Sequence, residues 1–262
     1  MNPTEPNAVV LHKLVLATDS FILRVAPEGW ELPQFKAGQY TTLGLPVVQQ
    51  GGNGRAQKLV RRAYSICSSP EEKTYLEFYI RLVAAGALTP NLAGLKTGDR
   101  VFLGPKIAGT FTLDAIPPEA NLVMIATGTG IAPFMSIVRT HLAASGKKMA
   151  ILHGCRHSWD LGYRDELLAM QRLSGNLYYC PVLDMPEKEP VPWQGRTGFV
   201  QGIWKSGAIE QAWGVRLTPD NTHAMLCGNP LMIESMTKVL LAEGYKEHTK
   251  AGAGQIHTEK YW

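Results

Sequence analysis

The chain has 262 residues, of which 45% are hydrophobic and 18% charged, so it can bury a full core and is not intrinsically disordered. Its net charge of +4 suits an acidic protein partner or a phosphorylated ligand, and we predict no nucleic-acid partner. No apolar run approaches the roughly 18–20 residues of a membrane span, and residues 1–6 lack an apolar signal region, so a soluble cytosolic protein is expected.

The first part of the chain is rich in short strands separated by turns. Apolar and polar residues alternate from Val9 to Val25 around a turn at Asp19-Ser20, which predicts a strand pair. Spacings of roughly 8–12 residues between strands favour an antiparallel barrel or sandwich. Further predicted elements are strands at Gly38–Pro46, Val60–Cys67, Tyr75–Val83 and Gly98–Gly104, a hairpin or loop at Gln49–Gly54, and a short helix at Thr89–Leu95.

The pattern changes near Asp114, and Ile116–Glu119 is predicted to be a linker. After it, strands and helices alternate, which is typical of a mostly parallel sheet with helices on both faces. The fold class is therefore two-domain, with an antiparallel β-barrel at residues 1–115 and a Rossmann-like α/β domain at residues 116–262 that ends in a polar tail. The predicted strands are Leu122–Ala126, Met149–Gly154, Leu177–Val182 and Thr222–Cys227, and the predicted helices are Pro133–Ser145, Tyr163–Arg172, Val200–Ser206, Ile209–Trp213 and Leu231–Glu243.

A glycine turn, Thr127-Gly-Thr-Gly130, joins the first of these strands to the first helix. Backbone N–H groups at a helix start bind phosphate, and glycines let a ligand approach the backbone. However, Pro133 replaces the third glycine of the usual dinucleotide fingerprint. From this stretch alone, a nucleotide site and a tight structural turn are equally good interpretations.

Two segments of the first domain could hold a phosphorylated cofactor. Arg62-Ala-Tyr-Ser65 combines a guanidinium, which binds phosphate bidentately, with a flat aromatic ring and a hydroxyl. The simpler interpretation is a strand with an exposed arginine and a packed tyrosine. Gly86-Ala-Leu-Thr89 can offer backbone N–H groups to a phosphate, and Thr89 can be the N-cap of the short helix.

Two further segments end predicted parallel strands, at the edge where open α/β sheets bind ligands. In Cys227-Gly-Asn-Pro230 the glycine would let a planar ring approach, although a buried cysteine usually only packs. In His153-Gly-Cys-Arg156 the arginine is expected to face the same crevice, and His153 is assigned to the core or to a supporting position. The chain stops on Trp262, which is either frayed or folded back onto an aromatic ligand.

No metal site is predicted. The four cysteines are Cys67, Cys155, Cys180 and Cys227, and none is paired at the spacing of metal ligands. An internal iron–sulfur cluster needs about four clustered thiolates, so it is not expected. The histidines show no metal-ligand spacing either.

These motifs, in this order, resemble the ferredoxin–NADP(H) reductase family, and within it the bacterial enzymes, from about Leu11 to Trp262. The resemblance implies that residues 1–115 bind FAD and residues 116–262 bind NADP(H). The FAD-binding residues that it implies are Arg62, Ala63, Tyr64, Ser65, Phe78, Tyr79, Ile80, Gly86, Ala87, Leu88, Thr89, Thr127 and Trp262. The NADP(H)-binding residues that it implies are Gly128, Thr129, Gly130, Arg156, Asp184, Arg196, Cys227, Gly228 and Asn229.

The resemblance also implies an activity. NADPH would give a hydride to the flavin, which would pass electrons singly to a ferredoxin or flavodoxin, or the flow would reverse. The implied catalytic residues are Ser65, Cys227 and Glu259. Tyr64 would lie against the isoalloxazine, and Trp262 would cover the flavin region. We expect a monomer.

One departure from the family concerns the nucleotide. Bacterial relatives carry an arginine in a Ser/Thr-Arg-Glu segment where this chain has Leu183-Asp-Met-Pro-Glu187, and Phe199 stands where a basic residue is usual after a Thr-Gly pair. Arginines hold a 2′-phosphate, whereas an acidic residue such as Asp184 suits a free ribose 2′-hydroxyl. Arg196 and Arg156 remain available, so NADPH is predicted, with NADH as the alternative.

Two other functions stay open. The first is an NADH-dependent flavin reductase component of an oxygenase, although many such proteins add an iron–sulfur module for which this chain lacks the cysteines. The second is a catalytically silent nucleotide-sensing subunit, against which the set of Tyr64, Ser65, Cys227 and Glu259 argues.

Overall fold

The computed structural model describes residues 5–51 and 54–260, without the side chains of residues 48–51 and 54–56. The chain divides into two compact units, Met1–Thr112 and Leu113–Trp262, which we call unit 1 and unit 2. Each unit has its own six-stranded sheet. Among the described residues, no helix combines the length and the apolar character that a membrane crossing requires.

Unit 1 is antiparallel throughout, in the strand order β4-β3-β6-β1-β2-β5. Its strands are β1 (Ala8–Ala17), β2 (Ser20–Pro27), β3 (Tyr40–Gly51), β4 (Gly54–Ser65), β5 (Leu76–Arg81) and β6 (Arg100–Leu103), and its helix is α1 (Thr89–Gly94). Alternate residues of each strand face inward and form the core. Leu23 and Phe78, for example, are completely buried. The predicted antiparallel architecture is confirmed, although the hairpin predicted at Gln49–Gly54 includes residues 52 and 53, which lie outside the described residues.

Unit 2 is parallel throughout, in the strand order β10-β9-β8-β7-β11-β12. Its strands are β7 (Asn121–Thr127), β8 (Met149–Cys155), β9 (Leu177–Leu183), β10 (Arg196–Thr197), β11 (Thr222–Gly228) and β12 (Ile256–Lys260). Its helices are α2 (Ala132–His141), α3 (Arg164–Leu173), α4 (Val200–Lys205), α5 (Ala208–Trp213) and α6 (Pro230–Ala242). The predicted Rossmann-like class is confirmed.

The strand order of unit 2 reverses next to β7, with β8 and β9 on one side and β11 and β12 on the other. All side chains from Leu122 to Ala126 are buried, because a central parallel strand is covered on both faces. In sheets of this type a ligand crevice forms outside the carboxyl ends of the strands at the point of reversal. The structure therefore places the segments after β7 and β11 at the expected binding edge.

Sequence reasoning missed two strands and misplaced one helix end. The residues assigned to a polar tail form β12, whose backbone pairs with β11 from Ala224↔Ile256 to Gly228↔Lys260. Such an edge strand needs backbone hydrogen bonds more than apolar side chains. The two-residue strand β10 was too short to predict, and α2 ends at His141 rather than at Ser145.

Candidate functional site

The glycine turn after β7 is a 3₁₀ turn, Gly128–Ile131, that leads directly into α2. Gly128 has a positive φ of 52°, and a Cβ atom added there would meet nothing within 4 Å, so the space beside it is open. A Cβ atom at Gly130 would lie 2.3 Å from the carbonyl oxygen of Cys227. The first glycine is therefore favoured by the backbone conformation, and the second is required by close contact with β11.

Thr127 ties this turn to the end of β11. The backbone N–H of Asn229 donates to Thr127 Oγ1 at 2.8 Å. Gly228 has a φ of 131°, and a Cβ atom there would lie 2.3 Å from the same oxygen. Asn229 caps α6, because its side-chain oxygen accepts from the N–H of Leu231 at 2.9 Å. The two predicted nucleotide segments thus interlock, and we call them together the carboxyl edge of unit 2.

β12 brings Glu259 next to Cys227. The register of the parallel pair aligns these two residues, and Cys227 is completely buried while Glu259 is partly buried. The structure therefore brings together two of the three predicted catalytic residues within unit 2. The third, Ser65, belongs to unit 1, and Trp262 lies outside the described residues.

His153 supports the turn from β8. It is completely buried, with Nε2 3.0 Å from the Gly128 carbonyl oxygen and Nδ1 3.3 Å from the Tyr179 hydroxyl. Because a carbonyl oxygen can only accept, we assign the ring proton to Nε2, and Nδ1 then accepts from the tyrosine. Burial lowers the pKa of His153 to about 4, although the hydrogen bond with Gly128 opposes this shift. The neutral ring holds the carbonyl of Gly128 in one orientation.

Arg156 and Asp184 directly follow the carboxyl ends of β8 and β9, and both are exposed. Backbone hydrogen bonds join their segments, from Asp184 N to Cys155 O at 3.1 Å and from Met185 N to Arg156 O at 3.2 Å. Within the described part of the chain, neither side chain takes part in an ion pair. A basic and an acidic side chain are therefore both available where the adenosine half of a dinucleotide binds in this class of sheet.

Arg196 is the other basic residue predicted for this region. It lies on β10 opposite Val182, near the carboxyl end of β9. Burial raises the pKa of Tyr178 on β9, and the charge of Arg196 opposes that rise. The exposed Arg196 is therefore a second basic residue near this edge.

In unit 1, the end of β4 carries the predicted flavin motif. Arg62 is exposed, and its Nη1 donates to the Arg61 carbonyl oxygen at 2.8 Å. The half-buried ring of Tyr64 packs edge-to-face on Phe78, with ring centroids 6.5 Å apart. Burial raises the pKa of Tyr64 to about 12 against the opposing charge of Arg62, so the phenol stays neutral. Ser65 is buried at the end of the strand, and Ala63 is exposed.

The remaining predicted FAD residues are less accessible. Phe78 and Ile80 belong to the hydrophobic core of unit 1, and Tyr79, on the other face of β5, is also buried. Their side chains therefore support the fold, and in the described structure they do not present an open surface to a ligand.

The interpretation of Thr89 as an N-cap is wrong. Leu88 occupies the N-cap position of α1 and makes no side-chain capping bond. Instead, Thr89 Oγ1 accepts from the N–H of Val83 at 2.9 Å and donates to its carbonyl oxygen at 3.1 Å. Gly86 also donates its N–H to the Val83 carbonyl, at 2.8 Å. The N–H groups of this loop that could donate hydrogen bonds to a phosphate are therefore those of Ala87, Leu88 and Thr89.

No metal site accompanies these features: across the described ranges, no group of three or more His, Cys, Asp or Glu side chains is arranged to hold a metal ion.

Comparison with known proteins assigns both units. Residues 9–111 match the model of the oxidoreductase FAD-binding domain, and residues 124–238 match that of the oxidoreductase NAD-binding domain. A flavodoxin/ferredoxin–NADP reductase of Buchnera aphidicola subsp. Baizongia pistaciae is 34% identical over 230 residues, which cover 87% of this chain and 88% of the relative. The chain belongs to the bacterial flavodoxin/ferredoxin–NADP reductase family.

Solved structures agree with membership of this reductase family. A ferredoxin–NADP⁺ reductase from Neisseria gonorrhoeae with bound FAD and NADP superposes with a TM-score of 0.83 at 27% identity, over 100% of both chains. A cytochrome P450 reductase from Amycolatopsis superposes with a TM-score of 0.75 at 28% identity, over 98% of this chain and 69% of that chain. The family resemblance drawn from the sequence motifs is confirmed.

Proposed function

We propose that this protein transfers electrons between NADPH and a ferredoxin or flavodoxin through bound FAD. The observation that carries the proposal is the interlocking of Thr127–Gly130 with Cys227–Asn229 at the point of strand reversal in an NAD-binding domain. The same chain has an FAD-binding domain. The relative from Buchnera is named for flavodoxin and ferredoxin, which suggests these electron carriers.

The end of β4 fits FAD. The exposed guanidinium of Arg62 has no carboxylate partner in the described part of the chain, so it is free to hold a pyrophosphate. The neutral ring of Tyr64 can lie against a flat ring system, and Ser65 follows it with a hydroxyl group. Bound FAD supplies the chemistry of accepting a hydride and releasing electrons one at a time. The protein's part is to orient that cofactor.

The carboxyl edge of unit 2 fits the pyridine nucleotide. The N–H groups of the Gly128–Gly130 turn lie at the positive end of α2, where a pyrophosphate is favoured. His153 keeps the turn in this conformation by holding the carbonyl of Gly128. Gly228 lets the end of β11 pass close to Thr127, where a side chain would not fit. We assign Cys227 and Glu259, which are aligned on neighbouring strands, to the positioning of the nicotinamide ring.

A second candidate is an NADH-dependent reductase, and Asp184 favours it. An exposed carboxylate at the end of β9 suits a free 2′-hydroxyl and repels a 2′-phosphate. Arg156 and Arg196 are the basic residues at this edge among the predicted nucleotide residues. The two candidates differ in the nucleotide and share the flavin.

The decisive experiment measures flavin content, and then the oxidation of NADPH and of NADH with ferricyanide, ferredoxin or flavodoxin as acceptor. We expect yellow protein that reduces the carriers with NADPH. Arg156→Ala should raise the KM for NADPH by roughly 10-fold or more, because a charged hydrogen bond is worth about 1.5–3 kcal/mol, and should leave the KM for NADH unchanged.

Arg172→Ala, which removes an exposed arginine from the last turn of α3, is the matched control and should change neither KM. A preference for NADH in the wild-type protein would select the second candidate. Yellow protein that reduces no acceptor would contradict both candidates and indicate a silent subunit.

A further inference from the structure

Among the side chains that the structure describes, two aromatic ones are exposed, Phe199 (70% exposed) and Trp159. Both follow the carboxyl ends of strands in unit 2, since Trp159 comes after β8 and Phe199 after β10. Trp159 stacks on His157, with ring centroids 4.3 Å apart. Phe199 takes part in no ring stacking or cation–π contact within the described part of the chain. A single exposed phenyl ring is ordinary on a protein surface, so its position must decide what it does.

The main chain around Phe199 is fixed on both sides. The N–H of Gly198 donates to the carbonyl oxygen of Leu183, the last residue of β9, at 2.8 Å. Phe199 is the N-cap residue of α4, and its carbonyl oxygen accepts from the N–H of Gly202 at 2.9 Å. The phenyl ring therefore stands on an ordered backbone next to the end of β9, where Asp184 begins the following loop.

The residue after Phe199 lies beside the glycine turn. Val200 is buried, and a Cβ atom added at Gly154, near the end of β8, would lie 3.1 Å from Val200 Cγ1 and 3.5 Å from Thr127 Cγ2. Val200 thus packs where β7 and β8 end. Phe199 is therefore flanked by Gly198, at the end of β9, and by Val200, at the start of the glycine turn.

The strand order decides which part of a pyridine nucleotide meets Phe199. The glycine turn, which suits the pyrophosphate, follows β7, and the residues assigned to the nicotinamide lie on β11 and β12 on one side of it. Phe199 lies on the other side, after β10 and next to β9. The flat ring on that side of the pyrophosphate is the adenine. A phenyl ring has no charge and no hydrogen-bonding group, so it suits the face of this ring and cannot bind a phosphate.

We propose that Phe199 stacks on the adenine ring of the pyridine nucleotide and contributes affinity for NADPH and NADH alike. The inference rests on the proposed pyridine-nucleotide substrate. Arg156 and Asp184 lie where they can contact the ribose 2′ position, which differs between the two nucleotides. Phe199 instead contacts a ring that both nucleotides share, so it sets affinity without selecting between them.

The test is isothermal titration calorimetry on the FAD-loaded protein with NADP⁺, NAD⁺ and the two halves of NAD⁺, which are 5′-AMP and nicotinamide mononucleotide. Phe199→Ala should weaken the binding of NADP⁺, NAD⁺ and 5′-AMP by roughly tenfold, because it removes the stacking of a base on an aromatic side chain. Nicotinamide mononucleotide, which has no adenine, should bind the variant and the wild type equally. Phe199→Tyr retains a flat ring and should keep every affinity within about twofold of the wild type.

Leu173→Ala is the matched control, because Leu173 is 90% exposed at the end of α3, shortly before the amino end of β9. It should bind all four probes as the wild type does. Wild-type affinity for the dinucleotides in Phe199→Ala, a loss confined to NADP⁺, or an equal loss with nicotinamide mononucleotide would overturn the proposal.

The same titrations separate this proposal from the proposed function. Weaker binding by Phe199→Ala, together with a wild-type protein that reduces no acceptor, would support the adenine contact and contradict the proposed electron transfer. A wild-type protein that binds neither dinucleotide would overturn both.

Discussion

Replacing His153 with glutamine should remove a pH dependence that this buried ring gives to the stability of unit 2. Burial lowers the pKa of His153 from 6.5 to about 4 in the folded protein. The unfolded chain therefore binds a proton that the folded chain does not, so the stability present above pH 6.5 is lost as the pH falls towards 4. Between pH 7 and pH 5, these pKa values correspond to a loss of about 2 kcal/mol.

Glutamine is an informative substitution because its side-chain amide can donate to the Gly128 carbonyl, as Nε2 does, but does not titrate. The free energy of unfolding should be measured with urea at pH 7 and at pH 5, using tryptophan fluorescence. Unit 2 dominates this signal through Trp159, Trp193, Trp204 and Trp213. Because other histidines of unit 2 are common to both proteins, their contributions cancel in the comparison.

The wild-type protein should lose about 2 kcal/mol more between the two pH values than His153→Gln. His12→Gln, at an exposed position on β1 of unit 1, should retain the wild-type dependence. Equal losses in the wild type and His153→Gln would refute the assignment of a buried neutral imidazole under the glycine turn.

Three further substitutions test the carboxyl edge of unit 2. Gly130→Ala places a Cβ atom 2.3 Å from a backbone oxygen and should lower the free energy of unfolding in urea by roughly 1–3 kcal/mol. Gly202→Ala in α4, where a Cβ atom meets nothing within 4 Å, should not destabilise the protein. Equal effects of the two substitutions would contradict the close contact at Gly130. Thr127→Val leaves the N–H of Asn229 without its acceptor, so the free energy of unfolding should fall by about 1 kcal/mol and the KM for the nucleotide should rise. Unchanged values would argue against the role of the hydrogen bond between Thr127 and Asn229. Asp184→Arg should raise kcat/KM for NADPH relative to NADH by roughly tenfold, because it replaces a carboxylate that repels the 2′-phosphate with a guanidinium that can bind it. An unchanged ratio in steady-state kinetics would exclude this position from nucleotide selection.

The sequence by itself predicted the features that depend on neighbouring residues. The apolar run ending at Ala126, followed by Gly128 and Gly130, indicates a buried strand, a tight turn and a helix start, because each depends on local periodicity or on a single backbone conformation. The alternation of strands and helices then separates a parallel domain from an antiparallel one. The order of the motifs along the chain was sufficient to indicate the reductase family.

Only the tertiary structure decided which distant residues meet. The sequence did not predict β12, because this edge strand is held by backbone hydrogen bonds to β11, which require no particular side-chain pattern. The same pairing brings Glu259 next to Cys227. Such contacts depend on packing between elements that are far apart in the chain, so local residue patterns do not predict them.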